Sequence, residues 1–309
     1  MTKKILVVTE KPFAKEAIDQ MQELIAGNSE YKLELLEKYT DTAQFKEAVK
    51  DAHALVVRSD KVTREIFDAA PELKIVVRAG AGYDNIDLAA ATEKNVVAMN
   101  TPGQNANAVA EAAMGLLVYI SRCKFNGKTG TELLGKKLGL HAYGNVGRAV
   151  ARIAKGFGMK VHAYDPYVPA AKIENEVVRV EKNIEDLYRN CQYVSLHIPA
   201  TAETRRSINY DLMKLMPQNA VLLNTARKEI ICEESLKKIL AERPDFRYVS
   251  DIAPDCAEEL IKNHADQVFF TPKKLGAQTE EANINAGVAA IKQILDFFEK
   301  GDTTFQVNK

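Results

Sequence analysis

Short apolar runs recur along the whole chain, each separated from the next by a stretch of helical periodicity. The first series is ILVVT (5–9), LELLE (33–37), ALVVR (54–58), KIVVRA (74–79) and VVAMN (96–100). The second is KLGLHA (137–142), KVHAYD (160–165), YVSLHI (193–198), AVLLN (220–224), YVSDIA (248–253) and VFFT (268–271). Runs this short and continuously apolar suit strands buried on both faces of a parallel sheet. In the stretches between them apolar residues share one helical face, as Val146, Ala149, Val150, Ile153, Ala154 and Phe157 do. The expected fold is therefore α/β, with two Rossmann-like, doubly wound parallel-sheet domains.

Between the two series lies GQNANAVAEAAMGLLVYISRC (103–123), a long helix rich in small residues and apolar nearly all round. That pattern suits a connector buried between domains or in a subunit interface. The expected domains are 1–99 plus 284–309 and 100–283, with the helical stretch 280–300 packing back on the first.

The charge balance narrows the function classes. Lys+Arg and Asp+Glu both number 42, so no net charge attracts nucleic acid or an anionic membrane. No run approaches the length of a membrane span, and MTKKILVVTE lacks the long apolar core of a secretory signal. Cys123, Cys191, Cys232 and Cys256 are scattered and form no metal or redox motif, so no metal site is expected and the protein is read as cytoplasmic.

The strongest local motif is KLGLHAYGNVGRAVARIAKGFGMKVHAYDP. A strand ends at His141, then Ala142, Gly144, Asn145, Val146 and Gly147 lead into a helix, a second strand and Asp165. In a dinucleotide site the middle glycine lets the backbone approach the pyrophosphate, and the last lets helix and strand pack closely. Backbone N–H groups at the helix start hold the phosphates. Here Gly144 and Gly147 fill those positions, while Ala142 stands where the first glycine is usual. Asp165, 18 residues after Gly147, is expected to bind the adenosine ribose hydroxyls and to favour NAD over NADP.

At this point the chain resembles the D-isomer-specific 2-hydroxyacid dehydrogenases, and within them the branch that oxidises 3-phosphoglycerate. The resemblance rests on VVRSDKVT (56–63), LKIVVRAGAGYDNIDLAAA (73–91), NTPGQNANAVAE (100–111), the glycine loop, HIPATAETR (197–205), LLNTAR (222–227) and SDIAP (250–254). It implies a flavodoxin-like substrate domain, NAD in the cleft between the domains, and a homodimer formed through the cofactor domain. It also implies that Arg227 holds the substrate carboxylate and polarises the oxygen at C2, tasks that a guanidinium fork suits. Asn224, Thr225, Ala226 and Asp251 would border the nicotinamide, with His197, Pro199, Thr204, Gly276 and Ala277 along the cofactor. Gly80 and Ala81 would offer N–H groups to the carboxylate, and Arg58, Ser59 and Lys61 would take the substrate phosphate.

Three positions depart from the family pattern. A glutamate is usual where Cys256 stands, and Asp255 is out of register to replace it. The acid–base histidine is replaced by Lys274, counting back from Leu275-Gly276-Ala277, or by Lys273 if Pro272 is the anchor. A pair of glycines that often follows the arginine is replaced by Lys228-Glu229. The first two losses are coherent. Histidine needs a carboxylate to stay protonated, whereas lysine starts near 10.4 and is brought toward usefulness by nearby positive charge and burial. Short members of the branch, without added regulatory domains, carry lysine here, and the chain resembles that subgroup. The alternatives are a glyoxylate, hydroxypyruvate or other D-2-hydroxyacid reductase and, in a different class, a non-catalytic NAD-binding regulator. An NAD-coupled absorbance assay separates the regulator from the enzymes.

Overall fold

The computed structural model describes residues 2–308. The chain forms β1 (Lys3–Thr9), α1 (Lys15–Ile25), β2 (Tyr31–Glu37), α2 (Thr42–Ala48), β3 (Ala54–Val57), α3 (Arg64–Asp68), β4 (Ile75–Arg78), α4 (Leu88–Glu93), β5 (Val97–Asn100) and α5 (Ala106–Ser121). Then follow β6 (Lys137–His141), α6 (Asn145–Gly156), β7 (Lys160–Tyr164), α7 (Ala170–Ile173), β8 (Val178–Val180), α8 (Ile184–Asn190), β9 (Tyr193–Leu196) and α9 (Tyr210–Leu215). The last elements are β10 (Val221–Asn224), α10 (Glu233–Glu242), β11 (Arg247–Ser250), α11 (Ala257–His264), β12 (Val268–Phe270) and α12 (Glu280–Lys300).

The elements gather into two compact units, one running to Asn105 and resuming at Thr279, the other Ala106–Gln278. The first unit is a few residues longer at each division than expected, and at the second the division precedes α12, which stays whole within that unit. The first unit holds a parallel sheet in the order β2-β1-β3-β4-β5. Alternate residues of each strand enter opposite cores, as the period of two requires. Ile5, Val7, Ala54, Val56, Ile75 and Val77 meet Met21 of α1 and Ala290, Ile291 and Ile294 of α12. Leu6, Val8, Leu55, Val57 and Val76 meet Phe45 of α2, Ile66 and Phe67 of α3, and Ala90 and Ala91 of α4. Asn308 covers the β5 edge by accepting from the Ala98 N–H and donating to the Val96 carbonyl.

The second unit holds the order β12-β11-β10-β9-β6-β7-β8, again all parallel. Helices α5 and α6 cover one face through Ala113, Met114, Leu117, Val150 and Ala154. Helices α8 to α11 cover the other through Leu187, Met213, Leu236, Ile239 and Leu260. Strand β8 has no counterpart among the runs seen in the sequence. Its three residues include the charged Arg179 and are followed by Glu181 and Lys182, and they pair with β7 at the sheet edge. In each sheet the winding reverses once, between β1 and β3 and between β6 and β9. Ligands of doubly wound folds sit at the carboxyl ends of the strands at such reversals.

Candidate active site

The loop after β6 has the geometry of a phosphate cradle. Ala142 is in the left-handed region at φ 84°, the conformation that glycine adopts freely and that explains the usual residue there. Gly144 is exposed and caps α6, and a Cβ on it would meet nothing within 4 Å. Gly147 is the reverse, since a Cβ there would lie 2.5 Å from the Ala142 carbonyl oxygen. Asn145 is exposed and Val146 half-buried on the first turn of α6. Across the reversal, the N–H of His197 donates to the His141 carbonyl at 2.9 Å, which joins the loop after β9 to the glycine loop.

Asp165 has a structural role that the sequence expectation did not assign to it. Its Oδ2 accepts the Tyr143 N–H at 2.8 Å and its Oδ1 the Tyr167 N–H at 2.9 Å. The carboxylate therefore braces the glycine loop from the end of the neighbouring strand. Thr204 is likewise turned inward, its hydroxyl donating to the Pro199 carbonyl at 2.6 Å and accepting the Thr201 N–H at 2.7 Å. Pro199 itself is exposed.

The turn after β10 is built by Asn224, which is fully buried. Its Oδ1 accepts the Ala226 N–H at 2.9 Å, and its Nδ2 donates to the Arg227 carbonyl at 2.9 Å and to the Tyr248 hydroxyl at 3.3 Å. The Ser250 hydroxyl donates to the Asn224 carbonyl at 2.7 Å. The Asn224 amide is thus spent on shaping the turn that carries Arg227 instead of facing a ligand. Arg227 Nη1 donates to the Ala226 carbonyl at 3.0 Å, and Lys274 Nζ donates to that same oxygen at 3.3 Å. One half-buried carbonyl therefore gathers both cations. The neighbouring Lys273 is exposed, as Lys274 is, and its carbonyl accepts from the Thr271 hydroxyl at 2.7 Å.

Asp251 holds the segment that carries Lys274. It is 1% exposed, and its Oδ2 accepts the Gly276 N–H at 2.8 Å. Burial raises its pKa, opposed by the Gly276 N–H and by the charges of Lys274 and Arg227. Ala277 follows, half-buried. Asp255 pairs with Lys228 across the two turns. Glu233 accepts the N–H groups of Asp255 and Cys256 at 2.7 and 3.1 Å. None of Lys228, Glu233 or Asp255 stood out as a site residue in the sequence, because the brace exists only once the turns after β10 and β11 are neighbours.

In the first unit, the loops after β3 and β4 carry the other expected residues. Ser59, Lys61 and Ala81 are exposed, Arg58 is half-buried and Gly80 buried. The Gly80 N–H, expected to face a carboxylate, instead donates to the Arg78 carbonyl at 2.8 Å in a tight turn. Arg78 was missed as a candidate although it lies within the RAGAG motif. Its Nε donates to the Arg58 carbonyl at 3.0 Å, and its guanidinium lies where a Cβ on Gly80 would be, 1.5 Å from Nη1.

A parallel doubly wound sheet with a glycine loop at its reversal defines a dinucleotide-binding domain of the Rossmann class. Residues 83–273 match the model of the D-isomer specific 2-hydroxyacid dehydrogenase, NAD binding domain, and the chain belongs to that family. It is 36% identical over 312 residues to a D-3-phosphoglycerate dehydrogenase of Methanocaldococcus jannaschii, covering 94% of this chain and 56% of that one. It is also 36% identical over 282 residues to a hydroxypyruvate reductase of Thermotoga maritima, covering 85% and 90%. The chain thus spans little more than half the length of the first relative and most of the second. Among solved structures, an NAD+-bound 3-phosphoglycerate dehydrogenase of Entamoeba histolytica superposes with TM-score 0.89 at 45% identity, covering 100% of this chain and 99% of that one.

The residues present fit NAD. Gly144 leaves its face open at the N-terminus of a twelve-residue helix, where anions are favoured. At the carboxyl ends of β9 to β11, Thr225 Oγ1, Asp251 Oδ1 and His197 Nε2 are buried without a hydrogen-bond partner among the described residues. Buried polar atoms are seldom left so, and a bound amide and ribose would supply partners.

Proposed function

We propose that this chain oxidises 3-phosphoglycerate to 3-phosphohydroxypyruvate, with NAD as the hydride acceptor. The observation that carries the reading is the shared Ala226 carbonyl, which sets Lys274 and Arg227 side by side. Arg227 holds the substrate carboxylate, a task for which its planar fork is suited. Lys274, in its neutral form, accepts the proton of the C2 hydroxyl as hydride leaves C2; in reduction the ammonium returns it. Asp251 holds the Lys274 segment through Gly276. His197 is unsuited to the acid–base task, because burial pushes its pKa down to about 3. In the first unit, Arg58, Arg78, Ser59 and Lys61 make the loops after β3 and β4 cationic and polar, which suits a substrate with a second anion.

A second reading has its own support. The Thermotoga hydroxypyruvate reductase is matched over 90% of its length, and the Arg58 guanidinium already has protein acceptors. Comparing kcat/KM for 3-phosphohydroxypyruvate and hydroxypyruvate with NADH decides between them. A clear preference for the phosphorylated acid is expected, and equal or better use of hydroxypyruvate would transfer the assignment to the reductase. The proposal includes a cytoplasmic homodimer. Among the described residues no helix is long and apolar enough to cross a membrane. Phe125 and Leu134 of the cofactor unit, 66% and 68% exposed, support a subunit contact that sedimentation equilibrium would detect.

A further inference from the structure

Arg58 is fixed from three directions, and one of the anchors is a side chain from a distant part of the chain. Nη1 donates to the carbonyls of Lys11 and Pro12, each at 3.0 Å, and Nη2 donates to Asn283 Oδ1 at 2.5 Å. The guanidinium also lies over the Phe13 ring, 5.1 Å from its centroid. Every one of these partners is neutral. The nearby Asp60 carboxylate is turned to backbone and hydroxyl donors, accepting the N–H groups of Glu10 and Arg58 at 2.7 and 3.3 Å and the Tyr39 hydroxyl at 3.0 Å. Among the described residues no carboxylate hydrogen-bonds the Arg58 guanidinium. The charge is thus held in place by neutral acceptors, and the only carboxylate acting on it among the described residues, Asp60, does so without a hydrogen bond to the guanidinium.

Asn283 is itself oriented. It stands on the first turn of α12, where Thr279 caps the helix by accepting the Ala282 N–H at 3.1 Å. The Asn283 side chain Nδ2 donates to the Thr279 carbonyl at 2.8 Å, so Oδ1 is the atom turned to Arg58. A flipped amide would set N–H against N–H at Arg58 and oxygen against oxygen at Thr279, losing both bonds. An acceptor without charge has a specific consequence here. A carboxylate at 283 would pair with Arg58 and compensate its charge, whereas an alkyl group would release Nη2.

We propose that Asn283 is a positioning residue that sets the preference for a phosphorylated over an unphosphorylated substrate, by fixing Arg58 without neutralising it. The inference rests on the 3-phosphoglycerate reading. It is tested in Asn283→Ala and Asn283→Asp by steady-state reduction of 3-phosphohydroxypyruvate and of hydroxypyruvate with NADH, with thermal melting as a folding check. Both variants are expected to raise KM for the phosphorylated acid about tenfold, the usual scale of a hydrogen bond to a charged group. Values of kcat, and KM for hydroxypyruvate, should stay within about twofold. If Asn283→Ala does not fold, Asn283→Ser, which is too short to reach Nη2, serves the same purpose. Parallel losses on both substrates, or no loss on either, would overturn the inference alone. A wild-type enzyme that uses hydroxypyruvate as well as its phosphorylated form would overturn the 3-phosphoglycerate reading, and this inference with it.

Discussion

Gly276 and Asp251 are joined by a 2.8 Å hydrogen bond from backbone N–H to Oδ2, and a Cβ at 276 would lie 2.6 Å from that same oxygen. The contact leaves room for glycine and nothing larger. It pins the segment 271–277 to the end of β11 and so determines where Lys274 reaches.

Gly276→Ala should therefore act on catalysis as well as on stability. The new methyl group must push Asp251 or its own segment aside, an overpacking that costs about 1–3 kcal/mol. Thermal melting should show the loss, and kcat should fall more than NAD affinity, since the displaced residue is Lys274. Unchanged kcat in a folded variant would remove the Asp251–Gly276 contact from the catalytic account.

The two adjacent lysines should behave differently. Lys274→Ala should lower turnover by about 10²–10⁴-fold, the weight of a general acid–base group, with NAD binding largely retained. Lys273→Ala should stay near wild type, because the ammonium that donates to the Ala226 carbonyl is that of Lys274. On the mechanism proposed above, oxidation would use neutral Lys274 and should rise with pH, and reduction would use its ammonium and should rise as pH falls. Lys274→Met should flatten both profiles; a retained profile would assign the titration to another group.

Ala142 pays a conformational cost at φ 84° that glycine does not. Ala142→Gly should stabilise the chain by about 1 kcal/mol, read as a rise in the urea midpoint, with NAD affinity preserved. A lower midpoint would mean that the methyl group packs favourably enough to outweigh the strain.

Burial holds two histidines neutral in the folded chain, His141 with a pKa of about 4 and His197 with a pKa of about 3. Both lie below the unfolded value of about 6.5. The unfolded chain therefore takes up protons first as pH falls. Stability from these groups is full above about pH 6.5 and is lost progressively toward the folded values. Urea midpoints measured from pH 7.5 to 4.5 should show this, and His141→Gln should reduce the slope. An unchanged slope would assign the acid sensitivity elsewhere.

Much of the architecture was legible because its signals are local. Continuous apolar runs alternating with helical periodicity report a two-faced parallel sheet directly, since each residue's burial follows from period alone. The spacing of Ala142, Gly144, Gly147 and Asp165 is local in the same sense, as one strand, turn, helix and strand contain it. Strand β8 was not legible, because its three residues include the charged Arg179.

Side-chain duties depended on contacts between distant segments. In TPKKLGA the Leu275-Gly276-Ala277 anchor points to Lys274, and Pro272 as the anchor leaves Lys273 as the alternative. Asp251, 25 residues before Gly276, supplies the anchor that directs the Lys274 ammonium to Ala226. Asp165 braces the loop 22 residues upstream, and Arg58 is tied to Asn283, 225 residues away. The sequence by itself determined the fold class and the cofactor loop through periodicity and spacing within short segments, and its motifs carried the resemblance to the family. Only the tertiary structure put the Lys274 ammonium and Arg227 on the one Ala226 carbonyl, gave Asp165 and Asn224 their hydrogen bonds, and set Arg78 against Gly80. Each of those depends on side-chain directions that exist only after the strands are placed side by side.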